Sequence, residues 1–287
     1  MSILVLGAAG QVGRSFLEHA PADARCLPMT HAELDIRDAD AVMRCLEDQR
    51  PRWVVNCAAY TAVDQAEVEP EAAWAVNAEA VGHLAAAAGR TGARLLHLST
   101  DFVFDGGQRE PYRPESPTHP LSQYGASKRR GEGLALGCAG GIVVRTSWVY
   151  AARGRNFVLT MLRLMAERDE VRVVNDQFGS PTWARGLAPV LWRLIASDAR
   201  AGLYHWCDEG VTSWYDFAVA IQEAAIAAGI LARRARVLPI RTGEYPAKAV
   251  RPAYSALDCR GTREATGLVP AHWRSNLEEM LNGLRAR

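Results

Sequence analysis

The sequence predicts an α/β protein: a doubly wound parallel sheet, with a smaller, mixed α/β lobe at the C-terminal end. Three observations lead there. Short apolar runs alternate with helix-period segments through the first half of the chain, the pattern of βαβ units. The first apolar run ends in a glycine-rich turn that opens a helix, as in Rossmann-type folds. At 287 residues, 49% of them hydrophobic, the chain can bury a sizeable core without disulfides or metals.

The elements follow in order. Ile3 to Leu6 is the first strand, and Gln11 to His19 the first helix. Ala24 to Met29 and Trp53 to Asn56 are further strands. Pro70 to Arg90 is alanine-rich, with Trp74, Val81 and Leu84 at helical spacing. Arg94 to Leu98 and Gly141 to Arg145 are again strand-like. Between Asp105 and Leu121 stand two glycines and four prolines, so an ordered loop at best is expected, functional or mobile. A helix begins at about Ser122. In the second half, Ser180-Pro181-Thr182 precedes a helix to about Ala196, and Leu203 to Trp206 is a short strand. Thr212 or Ser213 caps a helix through Ala228. Arg236 to Ile240 is a strand, and Ser275 to Leu284 a closing helix. No Ser/Gly linker separates the halves. The expected division is a nucleotide-binding domain over 1–150, sharing segments from about 175–200, and a second lobe over most of 151–287.

Charge and composition exclude several classes. Lys and Arg number 33 against 32 acids, for a net charge of +1, which gives no reason to expect nucleic acid or a membrane surface as partner. The N-terminus lacks the basic and apolar regions of a signal peptide, and no apolar run approaches ~18 residues. A cytoplasmic location is the expectation. The six cysteines have no CxxC spacing and the seven histidines no HxxxH or HxH spacing. Buried free thiols and no protein-built zinc site follow.

Gly7-Ala8-Ala9-Gly10-Gln11-Val12-Gly13 sits between the first strand and the first helix. Such a turn lets backbone N–H groups approach a pyrophosphate, and the helix N-terminus adds a favourable field. Thr30 and His31 follow the second strand with no acid at its tip, so NADPH is acceptable as well as NADH. Asp35 could contact the adenine side or serve as a loop acid or cap.

Tyr124 and Lys128 stand four apart, on one helical face. An ammonium beside a phenol favours the phenolate and lowers its pKa, which suits proton transfer. Only two of the 33 basic residues are lysine, and Lys128 is followed by Arg129 and Arg130. A compact ammonium is therefore required there, since guanidinium is no substitute. Ser99-Thr100-Asp101 ends the strand that starts at Arg94, where a parallel sheet forms its ligand crevice.

Glycine turn, strand-end threonine and Tyr-xxx-Lys together resemble the extended short-chain dehydrogenase/reductases, which act on nucleotide sugars. The strings NCAAYTAVD from Asn56, STDFVFDG from Ser99, RTSWVY from Arg145, NDQFGSPT from Asn175, GLYHW from Gly202 and RPAYSALD from Arg251 extend the resemblance over essentially the whole chain. It implies reduction of the C4 ketone of a 4-keto-6-deoxy nucleotide sugar by NADPH or NADH, with Thr100, Tyr124 and Lys128 catalytic. It implies Gly7, Gly10, Gln11, Val12, Gly13, Thr30, Asp35, Ile36, Ala59, Tyr60, Thr61 and Asn77 on the cofactor side. Thr61, Val63, Thr100, Asp101, Trp148, Gln177, Arg251 and Ser255 fall on the substrate side. Another nucleotide-sugar ketoreductase or an epimerase is the alternative. A second is a non-catalytic regulatory subunit similar to the β subunit of methionine adenosyltransferase. Dehydratases of the family carry a glutamate where this chain has Phe102. Some members hold Mg²⁺ through acids after the glycine turn and after the Pro-Thr motif. Here Arg14-Ser15 and Arg185 stand at those places, so no metal is expected. A monomer or a homodimer is compatible with the sequence.

Overall fold

The computed structural model describes residues 1–285. The first half comprises β1 (Ser2–Leu6), α1 (Gln11–Glu18), β2 (Arg25–Met29), α2 (Ala39–Gln49), β3 (Trp53–Asn56), α3 (Val63–Ala66), α4 (Pro70–Trp74), α5 (Ala80–Thr91), β4 (Arg94–Thr100), α6 (Gln123–Leu136) and β5 (Ile142–Thr146). The second half continues with β6 (Val149–Tyr150), α7 (Phe157–Glu167), β7 (Glu170–Val174), β8 (Phe178–Gly179), β9 (Thr182–Trp183), α8 (Ala184–Ala196) and β10 (Gly202–His205). It ends with β11 (Thr212–Ser213), α9 (Trp214–Ala227), β12 (Arg236–Ile240), α10 (Arg260–Thr266) and α11 (Trp273–Arg285).

Six strands form one parallel sheet in the order β10-β5-β4-β3-β1-β2. The path leaves β1 for β2 on one side and returns to β3 on the other, which opens a crevice at the carboxyl ends of the strands. Alternate residues supply the two faces. Ile3, Val5, Trp53 and Leu96 pack against Phe16 of α1 and Leu187 and Leu191 of α8. Leu4, Leu6, Val54 and Leu95 pack against Val42 and Leu46 of α2 and Leu84 of α5. Thus α8 and β10 join the first sheet, although they follow the first elements of the second lobe. That lobe packs α7, α9 and α11 around Val158, Phe217, Ile221 and Leu277, beside the parallel pair β7 and β12.

Two features differ from the expectation. The segment over 70–90 is interrupted by a π-helical turn at Ala75–Glu79, which carries the buried Asn77. Helices α2 and α7 and strand β7 had no clear signal. In α2 only Val42 and Leu46 are buried, and its start is marked by Asp38, whose carboxylate accepts the Ala41 N–H. The Pro-rich loop after β4 is firmly held. Tyr112 stacks on Phe104 at 4.0 Å, donates to Asp105 at 2.9 Å and exchanges backbone bonds with the 256–258 segment.

A buried ion pair fastens α6 to the sheet. Arg145 of β5 and Glu132 of α6 are both almost fully excluded from water, with N–O distances of 2.7 and 2.8 Å. Arg145 also donates to the Pro114 carbonyl at 3.1 Å, so the same guanidinium holds the loop. Removing one partner strands the other charge. Arg145→Leu is predicted to lose about 3–5 kcal/mol of unfolding free energy, measured by urea titration. A loss within the usual ±0.5 kcal/mol of a surface change would contradict this account.

Candidate active site

The glycine turn has the shape its residues permit. Gly7 adopts φ +68° and lies so close to the chain just after β3 that a Cβ would come 2.6 Å from the Ala58 nitrogen. A Cβ on Gly13 would come 2.3 Å from the Gly7 carbonyl oxygen. Gly10 N–H donates to Gly7 O at 2.9 Å, and α1 begins with no side-chain cap. Its first N–H groups therefore remain available to an anion. That is a cradle fitted to a dinucleotide pyrophosphate.

From this turn a cavity of about 1230 Å³ runs along the carboxyl ends of the strands. It exceeds the upper end, roughly 1,000 Å³, usual for one small ligand, so a dinucleotide and a second molecule can share it. Its lining includes Gly10, Gln11 and Val12 of the turn, Ala59, Thr61 and Val63 after β3, and Thr100, Asp101, Tyr124, Lys128, Trp148 and Arg251. The strand-end threonine and the Tyr–Lys pair thus open onto the same cavity.

Asn77 does not line this cavity. It accepts from Tyr60 N at 2.9 Å and donates to Tyr60 O at 3.0 Å and to Ser127 Oγ at 3.1 Å. It locks the loop after β3 to the helix that carries Lys128. Ser122 caps that helix by accepting from Gly125 N.

The electrostatics differ from the expectation that Lys128 lowers the Tyr124 pKa. Burial pushes the phenol up to about 12; the Thr100 hydroxyl opposes this and the Asp101 carboxylate adds to it. The Lys128 ammonium is turned elsewhere, donating to Leu98 O at 2.6 Å with His97 Nε2 at 3.3 Å. Burial brings Lys128 down to about 8, against the pull of Glu132. Lys128 is therefore the stronger acid of the two, and proton flow from it to a phenolate is downhill. Asp101 is pushed up to about 6, by burial first, although Ser255 Oγ donates to it at 2.6 Å and Thr100 Oγ1 at 3.1 Å.

Trp148 lines the cavity with a backbone φ of +47°. A bulky residue there is strained, and its ring is held by stacking on Trp214 at 3.5 Å. Arg251 is fastened to Asp64 at 2.7 Å. Gln11, on the glycine turn, accepts from Asn156 Nδ2 at 2.8 Å, so one residue bridges the sheet and the second lobe.

Besides Asn77, six expected side chains do not line the cavity: Thr30, Asp35, Ile36, Tyr60, Gln177 and Ser255. Gln177 is buried and donates to Thr242 Oγ1 at 3.1 Å, away from the cavity. Ser255 reaches the site only through Asp101. Ile36 is a core side chain packed with Val42 and Leu46, so only its backbone is free to face a ligand. Thr30 is tied by its N–H and hydroxyl to the Glu33 carboxylate, at 2.7 Å each. This corrects the reading of an acid-free tip: a turn brings Glu33 back onto the end of β2. Asp35 is held at about 2, first by hydrogen bonding from Arg37. His97 and Asn56 were not anticipated; a lone histidine in an apolar strand reads as core. Among the described residues no cluster of three potential metal-ligating side chains forms. Arg14 donates to Ala9 O and Arg185 faces Glu279.

Sheet and glycine turn define a protein of the Rossmann type that binds a dinucleotide, and its relatives make it an NAD(P)-dependent oxidoreductase. Residues 1–286 match the family described as RmlD substrate binding domain, and the chain belongs to that family. It is 44% identical over 286 residues to a dTDP-4-dehydrorhamnose reductase of Burkholderia thailandensis, with 96% of each chain covered. It is 40% identical over 293 residues to one of Escherichia coli, covering 99% of this chain and 98% of that one. A Bacillus anthracis dTDP-4-dehydrorhamnose reductase, crystallised in complex with NADP, superposes with a TM-score of 0.92 at 36% identity, covering 97% of this chain and 98% of that one.

Gly13→Ala is predicted to weaken NADP(H) binding at least about tenfold, or about 1.4 kcal/mol, because the turn must open to admit the methyl group. Fluorescence titration with NADPH measures it. An unchanged affinity would remove the close-packing argument.

Proposed function

We propose that this chain reduces the C4 ketone of dTDP-4-dehydro-β-L-rhamnose to dTDP-L-rhamnose with NADPH or NADH. One observation carries the reading: Thr100, Tyr124 and Lys128 line the same cavity as Gly10, Gln11 and Val12 of the glycine turn. The names and lengths of the relatives support the choice of sugar. Bound NAD(P)H supplies the hydride.

The protein's own groups do the rest. Tyr124, protonated at neutral pH, donates to the oxygen that develops negative charge at C4. Thr100, whose hydroxyl donates to Asp101 in this structure, turns that hydroxyl to the same oxygen when substrate is bound and stabilises the charge. Lys128, as ammonium, restores the proton to the tyrosine. Trp148 and Arg251 bound the sugar side. Phe102 sits edge-on to Tyr124 at 5.6 Å; with no proton to exchange, it favours reduction over elimination.

We also infer a division into a nucleotide-binding domain over 1–150, completed by segments from about 175–200, and a substrate lobe over most of 151–287. Six free cysteines fit a reducing, cytoplasmic setting.

The test is NADPH oxidation across a panel of dTDP- and GDP-4-keto sugars. Turnover with dTDP-4-dehydrorhamnose is expected. Turnover with a different 4-keto sugar alone would replace the substrate and keep the class, and cofactor binding with no turnover would point to a regulatory subunit. Tyr124→Phe is predicted to cut turnover at least ~100-fold, and Lys128→Arg to fail despite its charge. Near-normal rates in either would remove that residue's role. Because Lys128 titrates near 8 in the folded chain, its ammonium is present below that pH and lost above it. Turnover is therefore predicted to fall as pH rises through about 8. A profile flat to pH 10 would exclude the lysine as the proton reserve.

A further inference from the structure

Among the buried titratable groups that the proposed reaction leaves unused, one touches its machinery. His97 of β4 is fully buried, with Asn56 on one side and Lys128 on the other. Its Nδ1 lies 3.1 Å from Asn56 Nδ2, and its Nε2 lies 3.3 Å from Lys128 Nζ. The orientation of the Asn56 amide is determined by its other end, where Oδ1 accepts the Ala58 N–H at 3.1 Å. Turning the amide over would set two N–H donors against each other. The Asn56 amino group therefore faces Nδ1, which must supply a lone pair. A neutral imidazole has one N–H, so the proton sits on Nε2. Burial first, and Lys128 second, keep His97 uncharged.

The consequence falls on Lys128. An ammonium has no lone pair and can only confront the Nε2–H. A neutral amine accepts it, while Leu98 O accepts from Nζ in either state. We propose that Asn56 and His97 form a tautomer lock behind Lys128, presenting an N–H that favours the uncharged amine and so readies Lys128 to give up its proton. Both are positioning residues acting through Lys128. The other groups facing it are accounted for. Glu132 on α6, paired with Arg145 of β5, favours the ammonium. Cys57, after β3, is raised to about 12 by burial and stays a neutral thiol. Tyr124, also near 12, is neutral. On β5, Val143 stands opposite His97 and brings no charge.

Two measurements on the full chain test the lock; only the second rests on the reductase reading. Imidazole ¹⁵N NMR between pH 6 and 9, with the His97 signals assigned by their loss in His97→Gln, reads the tautomer directly. Protonated Nε2 and bare Nδ1 are expected; the reverse overturns the proposal, whatever the substrate proves to be. The second uses Asn56→Asp, which offers oxygen both to the Ala58 N–H and to His97 Nδ1, and so reverses the tautomer. Nε2 then accepts from the ammonium. The alkaline limb of NADPH-dependent turnover is expected to move up by about one pH unit, and by clearly less when His97→Leu is also present, because only the added charge then acts. An unmoved limb, or the same shift in both backgrounds, overturns the lock. Absence of turnover with every 4-keto sugar tells instead against the function, and leaves the NMR result to decide the tautomer.

Discussion

One buried ammonium organises this molecule. Lys128 is 2% exposed, and removing a charge from water costs several kcal/mol unless hydrogen bonds and opposite charge offset it. The offsets come from two elements at once: the Leu98 carbonyl on β4 and Glu132 one helical turn along α6. For these to meet, α6 must lie hard against its neighbours. Gly131 allows it; a Cβ there would come 2.1 Å from the Asn77 carbonyl oxygen.

From that contact the polar network spreads in two directions. Through Glu132 it reaches Arg145, the Pro114 carbonyl and the Pro-rich loop. Through His97 it reaches Asn56 and the start of the loop that carries Ala59, Tyr60 and Thr61. Asn77 closes the circuit from Tyr60 to Ser127. The walls of the cavity are thus held by interior hydrogen bonds, so preorganisation and stability draw on the same groups. Low dielectric makes each unmet member of such a network costly.

Much of the fold and of the site was legible because the relevant signals are local. Strands β3 and β12 fall at Trp53–Asn56 and Arg236–Ile240, where uninterrupted or alternating apolar residues mark them. The glycine turn and the Tyr124–Lys128 spacing are set within seven and five residues of chain. Elements whose burial depends on distant partners were harder. Helix α2 buries only two of its side chains, so its periodicity is faint. The π turn at Ala75–Glu79 leaves the alanine-rich pattern unbroken, because a one-residue widening of a helix changes which face Asn77 presents without changing composition. Gln177 and Asp101 belong to strings that resemble the family equally well, yet one turns to Thr242 and the other into the cavity.

By itself the sequence determined which chemistry is available: a turn that admits a pyrophosphate, a phenol and a lysine on one helical face, and a threonine at a strand end. Periodicity and steric size act within a few residues, so these are written locally. Only the tertiary structure decided how that chemistry is tuned. Burial, and not the neighbouring ammonium, governs Tyr124, and the lysine is turned toward a histidine 31 residues away. Protonation depends on which groups are excluded from water together, and that is a property of packing between β3, β4, β5 and α6, which no single stretch of chain records.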